Sequence, residues 1–217
     1  MGDNGIETEV RMQRCVIIGG ADIQAYEVIR SYLREDDFFI CCDSGTKHIR
    51  GLGIVPDLVI GDFDSSEPLG TGVETVVLPR EKDDTDTMAA VREAVSRGFE
   101  DYLLLGVFGN RLDHTLANIY ILLWLDNRGK KVLAVDDYSE FEIISKHPGY
   151  VPSAFPYFSL LNIGGYAEGV TIKNAKYALE NAAIPPDYQF GVSNEPLGGR
   201  TAEISVKNGC LLLIRDR

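Results

Sequence analysis

From Cys15 to Val135 short, continuously apolar runs alternate with stretches whose apolar residues recur at helical spacing, and after about Tyr138 the helical period stops. This change of period limits the possible folds more than any other feature. Runs without polar alternation belong to strands buried on both faces, and strands that alternate with helices build a parallel sheet covered on both sides. Strands are predicted at Cys15–Ile18, Phe38–Cys42, Leu58–Ile60, Val73–Leu78, Tyr102–Leu105 and Val132–Val135. Helices are predicted from Ile23 to Leu33, Thr85 to Arg97 and Leu112 to Leu125, with a short one ending near Arg50. Met88, Val91 and Val95 share one face of the second, and Gly98 stops it. The later pieces, Phe141–Ser145, Tyr157–Asn162, Val170–Lys173, Tyr177–Leu179, Thr201–Val206 and Cys210–Ile214, are strand-like and separated by Gly, Pro and Asn. Asn208-Gly209 between two apolar runs predicts a hairpin. The expected class is α/β: an N-terminal three-layer domain with a parallel sheet over residues 13–136, then a smaller antiparallel β-sandwich over residues 138–217.

Charge narrows the partners. Acidic residues number 33 against 21 basic ones, a net charge of −12. That excess argues against a nucleic-acid partner, which meets a basic face. It does not argue against ATP, which enters an acidic site accompanied by Mg²⁺. No apolar run approaches the roughly 20 residues of a membrane span, and the N-terminus lacks a signal peptide's apolar stretch, so no membrane is expected. Cys15, Cys41, Cys42 and Cys210 contain no C-x-x-C pair and read as small buried hydrophobes in a reducing compartment, which places the protein in the cytoplasm.

Ligands of an open parallel sheet bind at the carboxyl ends of its strands. After the first strand comes Gly19-Gly20, after the second Asp43-Ser44-Gly45, and after the third Gly61-Asp62-Phe63-Asp64. The fourth leads to Lys82-Asp83-Asp84-Thr85-Asp86, and the fifth to Gly109-Asn110-Arg111-Leu112-Asp113-His114. All of these should meet on one rim. Carboxylates gathered there repel one another unless a hard cation joins them, and Mg²⁺ is commonly held by one or two carboxylates plus substrate phosphates. Asp62 and Asp64 share a face only if the chain is extended between them. Arg111, at a helix N-terminus, suits a bidentate grip on phosphate, and Lys82 a point-charge contact.

Plainer readings stand beside these. Acids from Asp83 to Asp86 also suit a helix N-terminus, and so does Asp113. Asp43-Ser44-Gly45 and Gly61-Asp62 also serve as turns, and Lys82 or Arg111 also serve as partners of a neighbouring Asp, Lys82 the more readily. His114 and Asn118, four apart, are spaced to satisfy each other, while His48 and His147 have no constellation around them. What the plain readings leave unexplained is the clustering of acids after successive strands. There is no P-loop, and Gly51-Leu52-Gly53 fails as a dinucleotide fingerprint because Pro56 takes its last place. The D-x-D of Asp62 and Asp64 alone also fits a Mg-dependent phosphohydrolase or nucleotidyl transferase. A binding protein without turnover is the remaining alternative.

Taken in order, G-D-F-D-S at Gly61–Ser65, K-D-x-T-D at Lys82–Asp86 and G-x-R-x-D-H-x-x-x-N at Gly109–Asn118 resemble the thiamine pyrophosphokinase (thiamine diphosphokinase) family. Asp43-Ser44-Gly45, Pro56-Asp57 and Ser193-Asn194-Glu195 fit the same pattern, so the resemblance runs from about Cys15 to Ile214. It implies an α/β catalytic domain, a C-terminal β-sandwich, and a homodimer with active sites between subunits. It also implies transfer of the pyrophosphoryl group of ATP to the thiamine hydroxyl, with Mg²⁺, giving thiamine diphosphate and AMP. By the same resemblance Asp62, Asp64 and Asp86, with Asp43 next, hold Mg²⁺ against the ATP phosphates. Asp83 and Thr85 position phosphate or metal-bound water, and Ser44, Gly45, Lys82, Gly109, His114 and Asn118 line the nucleotide's side of the site. Arg111 stabilises charge on the transferred group. Asp113 orients Arg111 or takes part in binding the nucleophile, and an Asp rather than His114 is the expected base. Ser193 and Asn194 contact thiamine from the partner subunit. Two departures stand out. Asn110 replaces a usual Gly, and the lone Trp124 falls within a predicted buried helix, which leaves Tyr188 or Phe190 as the aromatic platform for thiamine.

Overall fold

A computed structural model describes residues 13–63, 72–79, 81 and 83–217. Six parallel strands form its centre: β1 (Arg14–Ile18), β2 (Phe38–Cys42), β3 (Leu58–Gly61), β4 (Glu74–Val77), β5 (Asp101–Leu105) and β6 (Lys131–Val135). They are ordered β6-β5-β1-β2-β3-β4. The predicted α/β half is thus present, with strands within a residue or two of their expected bounds. Its helices are α1 (Tyr26–Arg30), α2 (Ile49–Leu52), α3 (Asp86–Ser96) and α4 (Leu112–Asp126), and a 3₁₀ turn (Asp43–His48) precedes α2. One core, with Ile17, Ile40, Leu104, Val91, Leu122 and Leu125, lies on the α3–α4 face. A second, with Val16, Ile18, Leu103, Ile29 and Leu52, lies on the α1–α2 face. Successive strand residues divide between the two, as the pleat requires.

The sandwich is present too, but it is not built separately. Strand β7 (Ser139–Ile144) pairs antiparallel with β6, Ala134 opposite Phe141, and the same sheet continues. Beyond β7 it runs through β14 (Leu211–Asp216) and β9 (Tyr157–Leu161) to β12 (Gly191–Asn194), ten strands among the described residues. A second sheet of four strands, β11 (Leu179–Ile184), β10 (Ala167–Lys173), β13 (Ala202–Ser205) and β8 (Gly149–Val151), covers that extension. Phe158, Leu160, Ile172, Ile204, Leu211 and Leu213 fill the space between them.

Several expectations need correction. The expected Asn208-Gly209 hairpin is a crossover: β13 belongs to the four-stranded sheet and β14 to the ten-stranded one. Gly209 has φ +86°, and a Cβ there would lie 2.2 Å from the Tyr166 carbonyl oxygen, so the glycine serves a tight passage between layers. The strand expected at Tyr177–Leu179 begins where that run ends, and helix α1 is shorter than Ile23–Leu33. Strands β8 and β12 were not expected. Helix α4 is only half-buried: Ile121, Leu122 and Leu125 face the core, whereas Leu112, Leu116 and Tyr120 are exposed. All four cysteines are buried free thiols. Among the described residues no helix is long and apolar enough to cross a membrane.

Candidate active site

The site begins where the strand order reverses. Strand β1 leads sideways to β2, while β5, its other neighbour, arrives later in the chain, so their carboxyl-end loops part and leave a crevice. Backbone meets backbone closely there. A Cβ at Gly19 would lie 2.6 Å from the Gly106 carbonyl oxygen, and one at Gly45 would lie 2.1 Å from that of Ile18. Gly19 N–H donates to Leu105 O and Ala21 N–H to Gly106 O, each at 2.8 Å. The loops after β1, β2 and β5 are thereby locked into one floor.

Above that floor is a cleft of about 460 Å³. Gly20 and Ala21 reach it from β1, Cys42 and Ser44 from β2, Asp62 from β3, and Thr85, Asp86 and Thr87 from the start of α3. Gly106, Val107, Gly109, Asn110 and Arg111 reach it from β5, with His114 and Asn118 from α4. The predicted convergence is therefore observed for Asp62 and Asp86, which come from separate loops. Asp43 is buried beside them, its Cβ only 2.4 Å from where a Cβ on Gly61 would stand. Asp64 and Lys82 lie outside the described residues. Among the described residues no three His, Cys, Asp or Glu side chains are gathered closely enough to form a metal cage by themselves. Two carboxylates opening into a cleft rich in backbone amides nevertheless suit a hard cation that also takes phosphate oxygens.

Local sequence explains each placement. Thr85 is the N-cap of α3, its Oγ1 accepting from Met88 N–H at 3.2 Å, so the cap is the Thr and the acids on either side are left for other work. Asp86 then opens the helix into the cleft, whereas Asp84 turns back to Arg92 at 2.8 Å and Asp83 is exposed. Phe63 has φ +52°, so the chain is not extended at the residue after Asp62, and Asp64, the second acid of the D-x-D, lies outside the described residues. Asn110 likewise has φ +45°, a region Asn tolerates better than most residues, and so stands in for the usual glycine. Its Nδ2 donates to Asp22 Oδ2 at 2.9 Å, which ties the loop after β5 to the loop after β1.

Arg111 is the N-cap residue of α4 and pairs bidentately with Asp113, at 3.2 and 2.6 Å, both side chains exposed. The plain salt-bridge reading, weighted toward Lys82, is thus the one Arg111 adopts. The guanidinium holds the Asp113 carboxyl down to about 2 and is itself raised by the pairing. Asn118 is buried and donates to the Val107 carbonyl at 2.6 Å, so its partner is the β5 loop and not the expected His114. Three lining residues were not anticipated. Ala21 follows the Gly-Gly after β1, Thr87 follows Asp86 on the first turn of α3, and Cys42 ends β2, its thiol pushed up by burial and by the charge of Asp86.

Ser193 and Asn194 are not in this cleft. They end β12, which is separated from β5 by β9, β14, β7 and β6, about 24 Å at the usual strand spacing. Asn194 is buried: its Oδ1 accepts from Tyr177 N–H at 3.0 Å and Glu195 N–H at 2.9 Å, and its Nδ2 donates to the Tyr177 carbonyl at 2.9 Å. Ser193 is exposed with φ +59°. Nearby in sequence, Tyr188 and Phe190 are exposed, their ring centroids 5.6 Å apart. Trp124 is half-buried, with the Arg128 guanidinium 3.5 Å from its ring centroid.

Comparison with known proteins follows the same division. A family model described as the thiamin pyrophosphokinase catalytic domain matches residues 29–134, and one described as the thiamin pyrophosphokinase vitamin B1 binding domain matches residues 142–211. The chain is 27% identical to the thiamine pyrophosphokinase of Bacillus subtilis (strain 168) over 215 residues, which cover 94% of this chain and 99% of that one. The crystal structure of a B. subtilis thiamine pyrophosphokinase superposes with a TM-score of 0.83 at 23% identity, covering 94% of this chain and 99% of that chain. That from Geobacillus thermodenitrificans gives 0.81 at 26%, covering 94% and 98%. The fold extends to the enzyme of Candida albicans, with a TM-score of 0.77 at 15% identity, covering 94% and 89%.

Proposed function

The chain belongs to the thiamine pyrophosphokinase family, and from that premise we propose how its cleft moves the pyrophosphoryl group of ATP to the hydroxyl of thiamine, releasing AMP. The observation that carries the proposal is the meeting of Asp62 and Asp86, from loops after different strands, in one cleft with the backbone of residues 106–109 and Arg111. Asp62, Asp86 and Asp43, with Asp64, are the groups that would hold Mg²⁺ together with the triphosphate. A bound Mg²⁺ supplies neutralisation of phosphate charge that carboxylates alone would repel.

The remaining work falls to the chain. The amides after β5 and the side chains of Ser44, His114 and Asn118 orient the phosphates, with Gly109 allowing close approach and Gly45 letting the turn that carries Ser44 seat against the β1 backbone. Lys82 and Arg111 bear on the charge that grows as the β-phosphorus is attacked in line by the thiamine hydroxyl. Arg111 exchanges part of its grip on Asp113 for that phosphate, while Asp113 keeps it aimed. Asp83 and Thr85 set the start of α3, which carries Asp86. The hydroxyl proton passes to an aspartate of the cleft, and AMP departs.

Thiamine reaches this cleft from a second subunit. Ser193 stands at the same edge of the sheet as the cleft, yet five strand spacings away within one chain, which supports a homodimer whose sites are shared. Ser193 then touches thiamine, Tyr188 and Phe190 supply the aromatic surface, and Asn194 shapes the turn from within. We place the protein in the cytoplasm, a reading supported by its four free, buried thiols. The family matches do not favour a phosphohydrolase, a nucleotidyl transferase or a binding protein without turnover. Incubation with ATP, Mg²⁺ and thiamine tests the reading: AMP and thiamine diphosphate should appear in equal amounts. ADP or free phosphate in their place, or ligand binding without product, would contradict it.

A further inference from the structure

His48 has no part in the motifs, yet it is one of the most buried polar side chains, 2% exposed. Its Nε2 lies 2.8 Å from the Ala21 carbonyl oxygen and its Nδ1 lies 2.8 Å from the Tyr26 hydroxyl oxygen. A carbonyl oxygen only accepts, so Nε2 carries the proton, and Nδ1 then accepts from the Tyr26 hydroxyl. Tyr26 reaches the imidazole because residue 51 is glycine: a Cβ there would lie 2.4 Å from the tyrosine ring. Gly51, unexplained as part of a nucleotide fingerprint, is thus the space that lets α1 approach α2.

The object of this arrangement is the backbone of Ala21. Ala21 and Gly20 form one wall of the cleft. The Ala21 N–H is held by Gly106 O at 2.8 Å and its carbonyl by His48, so the two peptide units that flank Ala21 are each fixed. The next residue, Asp22, pairs with Lys47 at 2.9 Å and accepts from Asn110, and the Asp137 carboxylate accepts from Gln24 and Ala25 N–H. Of these side-chain ties to residues 19–25, the one from His48 comes from a buried side chain and is the one made to the cleft wall itself.

We propose that His48, clamped in its Nε2–H tautomer by Tyr26, is a positioning residue for nucleotide binding: it holds the Gly20–Ala21 wall in the shape that receives ATP. The inference rests on reading the cleft as the ATP site. A wall that must be ordered when the ligand arrives weakens binding, while groups that act on the transferred phosphoryl come from other loops. His48 therefore acts on KM for ATP and leaves kcat and KM for thiamine alone.

Steady-state kinetics of His48→Leu, His48→Gln and Tyr26→Phe test this, with thermal melting as a check of folding. Leucine fills the volume without a donor, and KM for ATP should rise about five- to tenfold. Glutamine offers an amide N–H near the position of Nε2 and should restore most of the affinity. Tyr26→Phe removes the clamp and should give a smaller rise in the same constant. Wild-type protein is assayed alongside: if it makes no thiamine diphosphate, the proposed function of the cleft fails, and with it the premise. With an active wild type, an unchanged KM for ATP in folded His48→Leu overturns the proposal. So does a loss shared by the thiamine constant and kcat, or a glutamine variant as impaired as leucine. If His48→Leu does not fold, an unchanged KM for ATP in Tyr26→Phe overturns it.

Discussion

Asn194 and His48 illustrate how single side chains in this protein act on backbone. Asn194, itself buried, satisfies the N–H and carbonyl of Tyr177 and the N–H of Glu195. Asn194→Ala leaves those groups unpaired, and we expect a loss of about 2–3 kcal/mol in denaturant unfolding with the cleft chemistry of residues 62 and 86 intact. His48 has a pH signature. Burial pushes its pKa below 6.5, with the charge of Lys47 acting in the same direction and the Ala21 carbonyl, Asp22 and Asp137 opposing. The unfolded chain therefore binds a proton that the folded one refuses between the depressed value and 6.5. Stability is fully present above 6.5 and is lost as pH falls through that window. The stability curve of His48→Gln should lack that slope. A slope unchanged in the variant would assign it to other groups. The acids of the cleft were legible in sequence because each lies between the carboxyl end of a strand and the element that follows it, Asp43 and Asp62 directly after β2 and β3 and Asp86 at the start of α3. His48 was not, because its partners are a carbonyl 27 residues away and a hydroxyl 22 residues away, and neither leaves a pattern along the chain.

Among elements, legibility followed burial. Strand β2 was read to the residue, since Phe38–Cys42 is apolar throughout and flanked on both sides in the sheet. Strand β12, Gly-Val-Ser-Asn with Val192 half-exposed, was invisible because it is an edge strand whose pairing with β9 is interrupted by a register shift. The Asn208-Gly209 signal was real as a turn and misleading as a hairpin. Which sheet each flanking strand joins is decided by packing between layers, not by the turn. The loop elements of the cleft are held by close backbone contact, and Gly45 is the clearest test. A methyl group there would stand 2.1 Å from the Ile18 carbonyl oxygen, with no flexible side chain to yield. Gly45→Ala should cost about 1–3 kcal/mol in thermal or denaturant unfolding and should weaken ATP binding. A variant with wild-type stability and affinity would show that the floor is not rigid.

At the scale of the whole molecule, one ten-stranded sheet runs through both expected domains, so the nucleotide cleft and the β12 edge are parts of a single plate. On that plate they are too far apart to serve one substrate, which is why the account needs a second copy. Mixing Asp62→Asn subunits with subunits bearing a bulky Ser193→Trp change tests it. Each parent is inactive, but a shared-site dimer of the two kinds has one intact site, so random exchange should restore about a quarter of wild-type activity. No recovery in verified mixed dimers would return both substrates to one chain. Beneath all of this lies the claim that carboxylates from separate loops act together on a Mg²⁺-bound triphosphate. The most direct test is calorimetric titration of ATP, with and without Mg²⁺, into wild type, Asp62→Asn and Asp86→Asn. The account predicts Mg²⁺-dependent binding by wild type, loss of about tenfold or more in each variant, and melting temperatures close to wild type. Variants that bind Mg²⁺–ATP as the wild type does would contradict it.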